Sequence, residues 1–446
     1  MELSAGDTAW VLAASAMVLL MTPGLAFFYG GMVRSKSVLN MMMMSFVTIG
    51  IVSVLWVIYG YSFAFGDSGS SLIGKFGLSK LGGAVNDLTY NGVGYPIPVL
   101  AFAAFQLMFA VITPALISGA IADRAKFLAW GVFVAVWVTI VYFPVAHWVF
   151  DFGGKDATGA GWLAAKGVED FAGGTAVHIN AGAAGLALCL VLGKRVGFKK
   201  DPMRPHNLPL VLIGAGLLWF GWFGFNAGSA LGANGLAALA FMNTMVATAA
   251  GVMGWLLMER IRDGHATSLG AASGAVAGLV AVTPACAFIA PWAAVVLGVV
   301  VGMICALAVG LKYKLGFDDS LDVVGVHMVG GIVGCLFVGF FGTRAVNSAY
   351  ADGLFYGGGL HLLGIQALGA FSVLAYSFVV TYILGFIINK TIGFRISADA
   401  EVEGIDLTEH LETAYDYGST GGGVLSGAGL SLKSSHSAAH TEGVSA

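Results

Sequence analysis

Charge is scarce in this chain: Asp, Glu, Lys and Arg make up only 10% of its 446 residues, and the net charge is -3. So weak a balance supports no nucleic-acid partner. Cysteine is equally sparse. The four present (Cys189, Cys286, Cys305 and Cys335) sit in apolar stretches and form neither a disulfide framework nor a paired zinc-ligand spacing. They read as packing residues. No nucleophile–base–acid set is readable, so no enzyme and no cofactor are expected. The first residues, MELSAGDTAW, lack the basic region of a cleaved signal peptide, and the apolar run that follows reads as a retained span.

What is abundant is apolar sequence. Hydrophobic residues reach 58% and glycine 66 residues, the latter suited to close helix–helix approach in a bilayer. Apolar runs of about 20 residues, each enough for a hydrocarbon core of about 30 Å, recur along nearly the whole chain. They predict an all-α integral membrane protein with eleven transmembrane helices, near 9–32, 39–64, 97–120, 127–149, 171–192, 208–228, 236–258, 268–286, 290–311, 320–342 and 361–388. With the N-terminus outside, sixteen Lys and Arg fall in inner loops and the tail against five outside, so the expected orientation is N-out/C-in. Residues 1–390 then form the membrane domain. Residues 391–417 form an acidic cytoplasmic regulatory tail, and 418–446 a Gly/Ser/Ala-rich disordered end.

The halves echo each other. AVITP (Ala110–Pro114) resembles VAVTP (Val280–Pro284), and DFAGGTAVHINAG (Asp170–Gly182) resembles DSLDVVGVHMVGG (Asp319–Gly331). Pairing spans one to five with six to ten requires an inverted 5+5 repeat plus one extra helix. Each copy of the longer motif places a carboxylate eight residues before a histidine. No Lys, Arg, Asp or Glu lies deep in a span, and His178 and His327 are the only histidines well inside; such residues mark functional sites by default. At 1.5 Å per residue each lies about 12 Å from its own face, so the two are expected to meet near mid-depth. A neutral imidazole presents one donor and one acceptor, which suits a neutral hydrogen-bonding solute or a proton relay. Carbonyl-bonded core histidines are the plainer alternative, less favoured once the motif repeats. Asp170 reads as a helix N-cap, with orientation of carbonyls toward a cation as an added role. AAFQLMF, VAHWVF and GWFGFNAGS gather aromatics near the outer ends of spans three, four and six. They serve either as belt and packing residues or as cation–π faces, with Ser229 as an acceptor.

The segments TPGLAFFYGG, DFAGGTAVHINAG, RPHNLP, GWFGFNAGSA, NTMVATAA, VTPAC and GVHMVGGIVG, in this order, resemble the ammonium transporter (Amt/Mep/Rh) family over about residues 9–417, most closely its bacterial Amt branch. The resemblance implies a homotrimer in the plasma (inner) membrane, in contact with lipid, that takes up ammonium or methylammonium. Phe109 and Phe225 match the stacked gate, Ser229 the outer recruitment hydroxyl, and Trp222 and Gln106 its surroundings. His178 and His327 match the twin pore histidines, and Asp170 the essential aspartate. In the family, ammonium is deprotonated, ammonia crosses the pore, and in many members the proton crosses separately. One departure stands out: the vestibule tryptophan falls at Phe150, leaving Trp148, two residues earlier, as a substitute on a different helix face. EGIDLTEHLETAY (Glu403–Tyr415) resembles the element that responds to PII-type signalling proteins. The rivals are an ammonium sensor signalling through such a partner, and a membrane redox protein with both histidines on haem.

Overall fold

The computed structural model describes residues 2–66, 70–75, 81–83, 85, 87–154 and 159–416. The expected disordered end, 418–446, lies outside them. Ten helices among the described residues are long and apolar enough to cross a membrane. In chain order they are α1 (Ala5–Met32), α2 (Val38–Phe65), α3 (Val99–Ile121), α4 (Phe127–Phe150), α5 (Gly174–Leu192), α6 (Leu208–Gly228), α7 (Gly235–Asp263), α9 (Pro291–Leu315), α10 (Val324–Phe341) and α11 (His361–Thr391). Between α7 and α9 lies a shorter apolar helix, α8 (Ser268–Val282). Its 15 residues span about 22 Å, less than a hydrocarbon core. It stops ahead of Pro284, which has no N–H to continue the ladder, and the chain goes on through turns over 283–288.

One hairpin departs from the all-α expectation. β1 (Leu88–Asn91) pairs antiparallel with β2 (Val93–Pro98) around Gly92, whose φ of +70° glycine adopts without strain. Asn91 fastens it down: its Nδ2 donates to Phe150 O at 2.8 Å and its Oδ1 accepts from Phe152 N at 2.6 Å. The hairpin therefore leans on the end of α4.

Between apolar helices in lipid, packing rather than water exclusion drives association, so small residues set the interfaces. A Cβ on Gly214 of α6 would stand 2.3 Å from Phe28 N of α1. One on Gly278 of α8 would meet Ala247 O of α7 at 2.6 Å, and one on Gly298 of α9 the same carbonyl at 2.2 Å. These glycines let α1 lie on α6, and α7 lie against both α8 and α9.

At one end of the bundle, charge is concentrated and paired. Arg195 bridges Asp123 at 3.2 Å and Asp318 at 2.9 Å. Burial pushes the Asp318 carboxyl up, but the Arg195 guanidinium outweighs it and holds the group below its ordinary value. The acidic segment after α11 packs on this end. Glu401 accepts from Val196 N at 2.7 Å and Arg395 Nη2 at 2.9 Å. Asp406 accepts from Leu39 N and Asn40 N, and Glu409 from Phe127 N at the start of α4. Its carboxylates thus cap and clamp helix ends of the same chain.

Candidate functional site

The site begins where the chain turns into α5. Gly173 has φ +123°, a conformation open to glycine, and the bend swings the following amides back toward Asp170. Asp170 Oδ1 accepts from Gly173 N at 2.8 Å and Gly174 N at 2.6 Å. Its Oδ2 accepts from Thr175 N at 2.8 Å, Ala176 N at 3.3 Å and the Thr175 hydroxyl. The otherwise orphaned N–H groups of the helix start are satisfied by one carboxylate. Asp319 repeats the device for α10, accepting from Val323 N at 3.1 Å and Val324 N at 2.7 Å.

Both histidines lie in π-helical turns, Gly174–Ile179 and Val324–Met328. Such turns are rare and recur at functional sites. Four residues after each histidine comes a glycine. A Cβ on Gly182 would sit 2.5 Å from Met328 N, and one on Gly331 would sit 2.9 Å from Ile179 Cγ1. Each glycine thus admits the residue next to the other helix's histidine, and α5 and α10 close together reciprocally. The result is a direct contact: His178 Nδ1 and His327 Nδ1 are 3.3 Å apart, with ring planes at 20°.

That contact has a chemical consequence. One Nδ1 must carry the proton and the other must accept it, so the rings take opposite tautomers. Their Nε2 atoms then offer one donor and one acceptor. His178 Nε2 is buried and has no partner among the described residues. Leaving a buried polar atom unpaired is costly, so the site favours a visiting hydrogen-bonding group.

Above the pair, the Phe109 and Phe225 rings lie 4.2 Å apart at 37°, both buried. Phe225 in turn stands 6.0 Å from the His178 ring. Beyond this double ring opens a cavity of about 280 Å³ lined by Gln106, Phe109, Phe150, Asp170 and Ser229. The Ser229 hydroxyl donates to Phe225 O at 2.8 Å, which leaves its lone pairs available to a donor.

The sequence left the cavity wall open to Trp148 or Phe150, and the structure separates them. Trp148 does not line the cavity: its Nε1 donates to Leu72 O at 2.7 Å, and its ring packs on Trp162 and Tyr376. Phe150 lines the cavity instead, because residues two apart project from different helix faces. Trp222 lies deeper than the sequence suggested. It stacks on His178 at 5.2 Å and 17°, and its Nε1 donates to Thr283 Oγ1 at 2.8 Å. It is not among the residues that line the cavity, and seven residues, about 10 Å of helix, separate it from Ser229.

The Ammonium Transporter Family model matches residues 9–415. The chain belongs to the ammonium transporter family. An ammonium transporter of Mycobacterium tuberculosis is 58% identical over 439 residues, covering 94% of this chain and 92% of the relative. One of Bacillus subtilis is 46% identical over 420 residues, covering 92% and 98%. Among solved structures, one described as a sensor Amt protein superposes with a TM-score of 0.82 at 31% identity, covering 91% of this chain and 98% of its own. Saccharomyces cerevisiae Mep2 does so with a TM-score of 0.79 at 36% identity, covering 90% and 89%. The relatives are named as transporters, and transport rather than enzymatic turnover is the shared activity of this family.

Within this ammonium transporter fold, further residues complete the cavity. Tyr95 reaches it from the hairpin, Phe152 from beyond α4, Phe288 from the turns after α8, and Tyr350 from the loop after α10. Sequence reasoning missed them because each lies in a connection outside the apolar periodicity. Only the density of aromatics near outer span ends hinted at them.

Proposed function

We propose that this protein carries ammonium across the plasma membrane by recruiting the cation in the outer cavity, removing its proton, and passing ammonia between Phe109 and Phe225 onto His178 and His327. The single observation that carries the reading is the Nδ1–Nδ1 contact with an unpartnered, buried His178 Nε2 directly behind the double phenyl ring. Ammonium in the cavity meets the faces of Phe109 and Phe150, the Gln106 amide and the Ser229 lone pairs. Cation–π attraction there is about 0.5–2 kcal/mol per ring, enough to concentrate the ion and too little to strip its water. Carrying an unpaired charge through the ring pair and along two neutral imidazoles costs several kcal/mol even after relaxation. Ammonia escapes that cost by leaving its proton behind, whereas potassium has no proton to leave. Asp170 shapes the cavity floor and orders the start of α5. The proton crosses by a separate route, which makes transport electrogenic.

The wider architecture we propose is eleven crossings, with α8 and the turns to Phe288 together counted as the eighth. The orientation is N-out/C-in, the two five-helix halves are inverted copies, and the assembly is a homotrimer in lipid. The matched caps, π turns and glycines of α5 and α10 support the repeat. Residues 1–390 conduct, and 391–417 regulate, answering to a PII-type protein, with Glu401, Asp406 and Glu409 docking against the inner helix ends. A sensor reading is favoured by one observation, the similarity to the sensor Amt protein. Haem ligation is disfavoured, because two nitrogens 3.3 Å apart leave no room for an iron between them. Electrical recording from proteoliposomes tests the proposal. Ammonium evokes a saturable current and potassium evokes none. Silence with ammonium, alongside ammonium-dependent binding of a PII-type partner, would favour the sensor.

A further inference from the structure

Beside Asp170 lies a second carboxyl to which neither the sequence motif nor the conduction route gives a task. Glu169 is 3% exposed. Its backbone is clamped to α11 on both sides: its N–H donates to Gln366 Oε1 at 2.8 Å and its C=O accepts from Gln366 Nε2 at 2.7 Å. The side chain reaches the loop after α10, where Oε1 accepts from Ala351 N at 2.8 Å. Oε2 is buried and has no hydrogen-bond partner among the described residues. Its chain neighbours Val168 and Asp170, and Tyr350 beside its Ala351 partner, all line the outer cavity. Glu169 therefore sits directly behind the cavity wall.

We propose that Glu169 sets the affinity of the outer cavity for ammonium, its ionised carboxylate acting through the wall as the distant counter-charge of the recruited cation. A carboxylate this buried ordinarily has a cationic partner, yet none of the described salt bridges includes Glu169. A cation in the cavity supplies the missing charge, and a low-dielectric wall transmits the attraction better than water does. By linkage, ammonium in the cavity favours ionised Glu169, and ionised Glu169 favours ammonium, to the same degree.

The arrangement makes recruitment depend on external pH. Burial pushes the Glu169 carboxyl up to about 7, Asp352 adds repulsion, and the Ala351 N–H opposes both. The titratable groups around it are Asp170 on its own segment and Tyr350 and Asp352 on the loop; α11 presents the neutral Gln366. Burial, Tyr95 and Glu169 push the Tyr350 phenol up to about 12, so it stays neutral throughout. Below neutrality Glu169 is protonated and its charge is lost; above, the charge is present. Ammonium itself stays protonated across this range, so its own ionisation does not mimic the effect.

This inference rests on the transport reading, and the test separates the two. The probe is ammonium chloride, applied to proteoliposomes containing the full chain, with current measured against concentration at external values of about pH 6 and about pH 8. Wild type is expected to show a KM roughly fivefold higher at the acidic value, with little change in maximal current. Glu169→Gln keeps an oxygen for the Ala351 N–H but loses the charge. Its KM is expected to be the same at both values and near the acidic wild-type KM, whereas a purely structural role would leave it unmoved. Glu169→Asp, which retains a carboxylate, is expected to recover part of the pH dependence. A wild-type KM that does not move with pH overturns the inference even if Glu169→Gln fails to fold. So does a Glu169→Gln KM equal to wild type at the alkaline value, or an effect confined to maximal current. Absence of any wild-type current brings down the transport reading itself, and this inference with it.

Discussion

Asp170 accepts four backbone N–H groups and one hydroxyl, so it holds the start of α5 more firmly than a single-bond cap does. Asp170→Asn puts an NH₂ group where one oxygen now faces donors. The expected cost is about 3 kcal/mol, read as a lower melting temperature together with loss of transport. Trp222→Phe is milder. It keeps a ring beside His178 and loses the bond to Thr283 Oγ1, an expected cost of about 1 kcal/mol with the unpaired Thr283 hydroxyl adding to it. At this scale the sequence was legible wherever a residue type had few alternatives. His178 and His327 stood out because ionisable groups at membrane depth are rare, and Asp170 because its motif places a carboxylate eight residues before the histidine in both copies. Trp222 was placed too near the cavity, and the choice between Trp148 and Phe150 stayed open, because an aromatic residue suits a cavity wall and a packed interior equally well. Depth along α6 decides the one, and the angle around α4 decides the other.

Among elements, the reciprocal seating of α5 and α10 is the most exacting contact. Gly182→Ala places a carbon 2.5 Å from a backbone nitrogen of α10, and a backbone cannot swing aside as a side-chain tip can. The expected result is about 1–3 kcal/mol of destabilisation and a widened His178–His327 separation. Transport falls, measured as ammonium current per molecule of folded protein. At the opposite end, Glu401→Ala removes the acceptor of Val196 N and Arg395 Nη2. About 2 kcal/mol of local stability is lost, and the segment 398–412 becomes cleavable by protease while the helices stay resistant. Helix positions were readable from hydropathy: α3, expected over 97–120, runs Val99–Ile121, and α6, expected over 208–228, runs Leu208–Gly228. The hairpin and the short α8 were not. The hairpin's four- and six-residue strands carry little periodic signal, and hydropathy counts the apolar turns after Val282 as helix.

For the whole molecule, the fold places an aromatic-lined cavity, a closely packed pair of phenyl rings and two touching imidazoles next to one another. The repeat motifs announced the two histidines, but their 3.3 Å contact depended on glycines and π turns whose effect appears only once α5 and α10 pack. The central claim is that the protein moves ammonia and not a bare cation. It is tested most directly by recording ammonium and potassium currents side by side for wild type, His178→Ala and His327→Ala in proteoliposomes, scaled to folded protein. The account predicts a current selective for ammonium in wild type. In both variants selectivity is lost, either because the current collapses or because potassium begins to pass. Variants that still carry ammonium at the wild-type rate and still exclude potassium would contradict it.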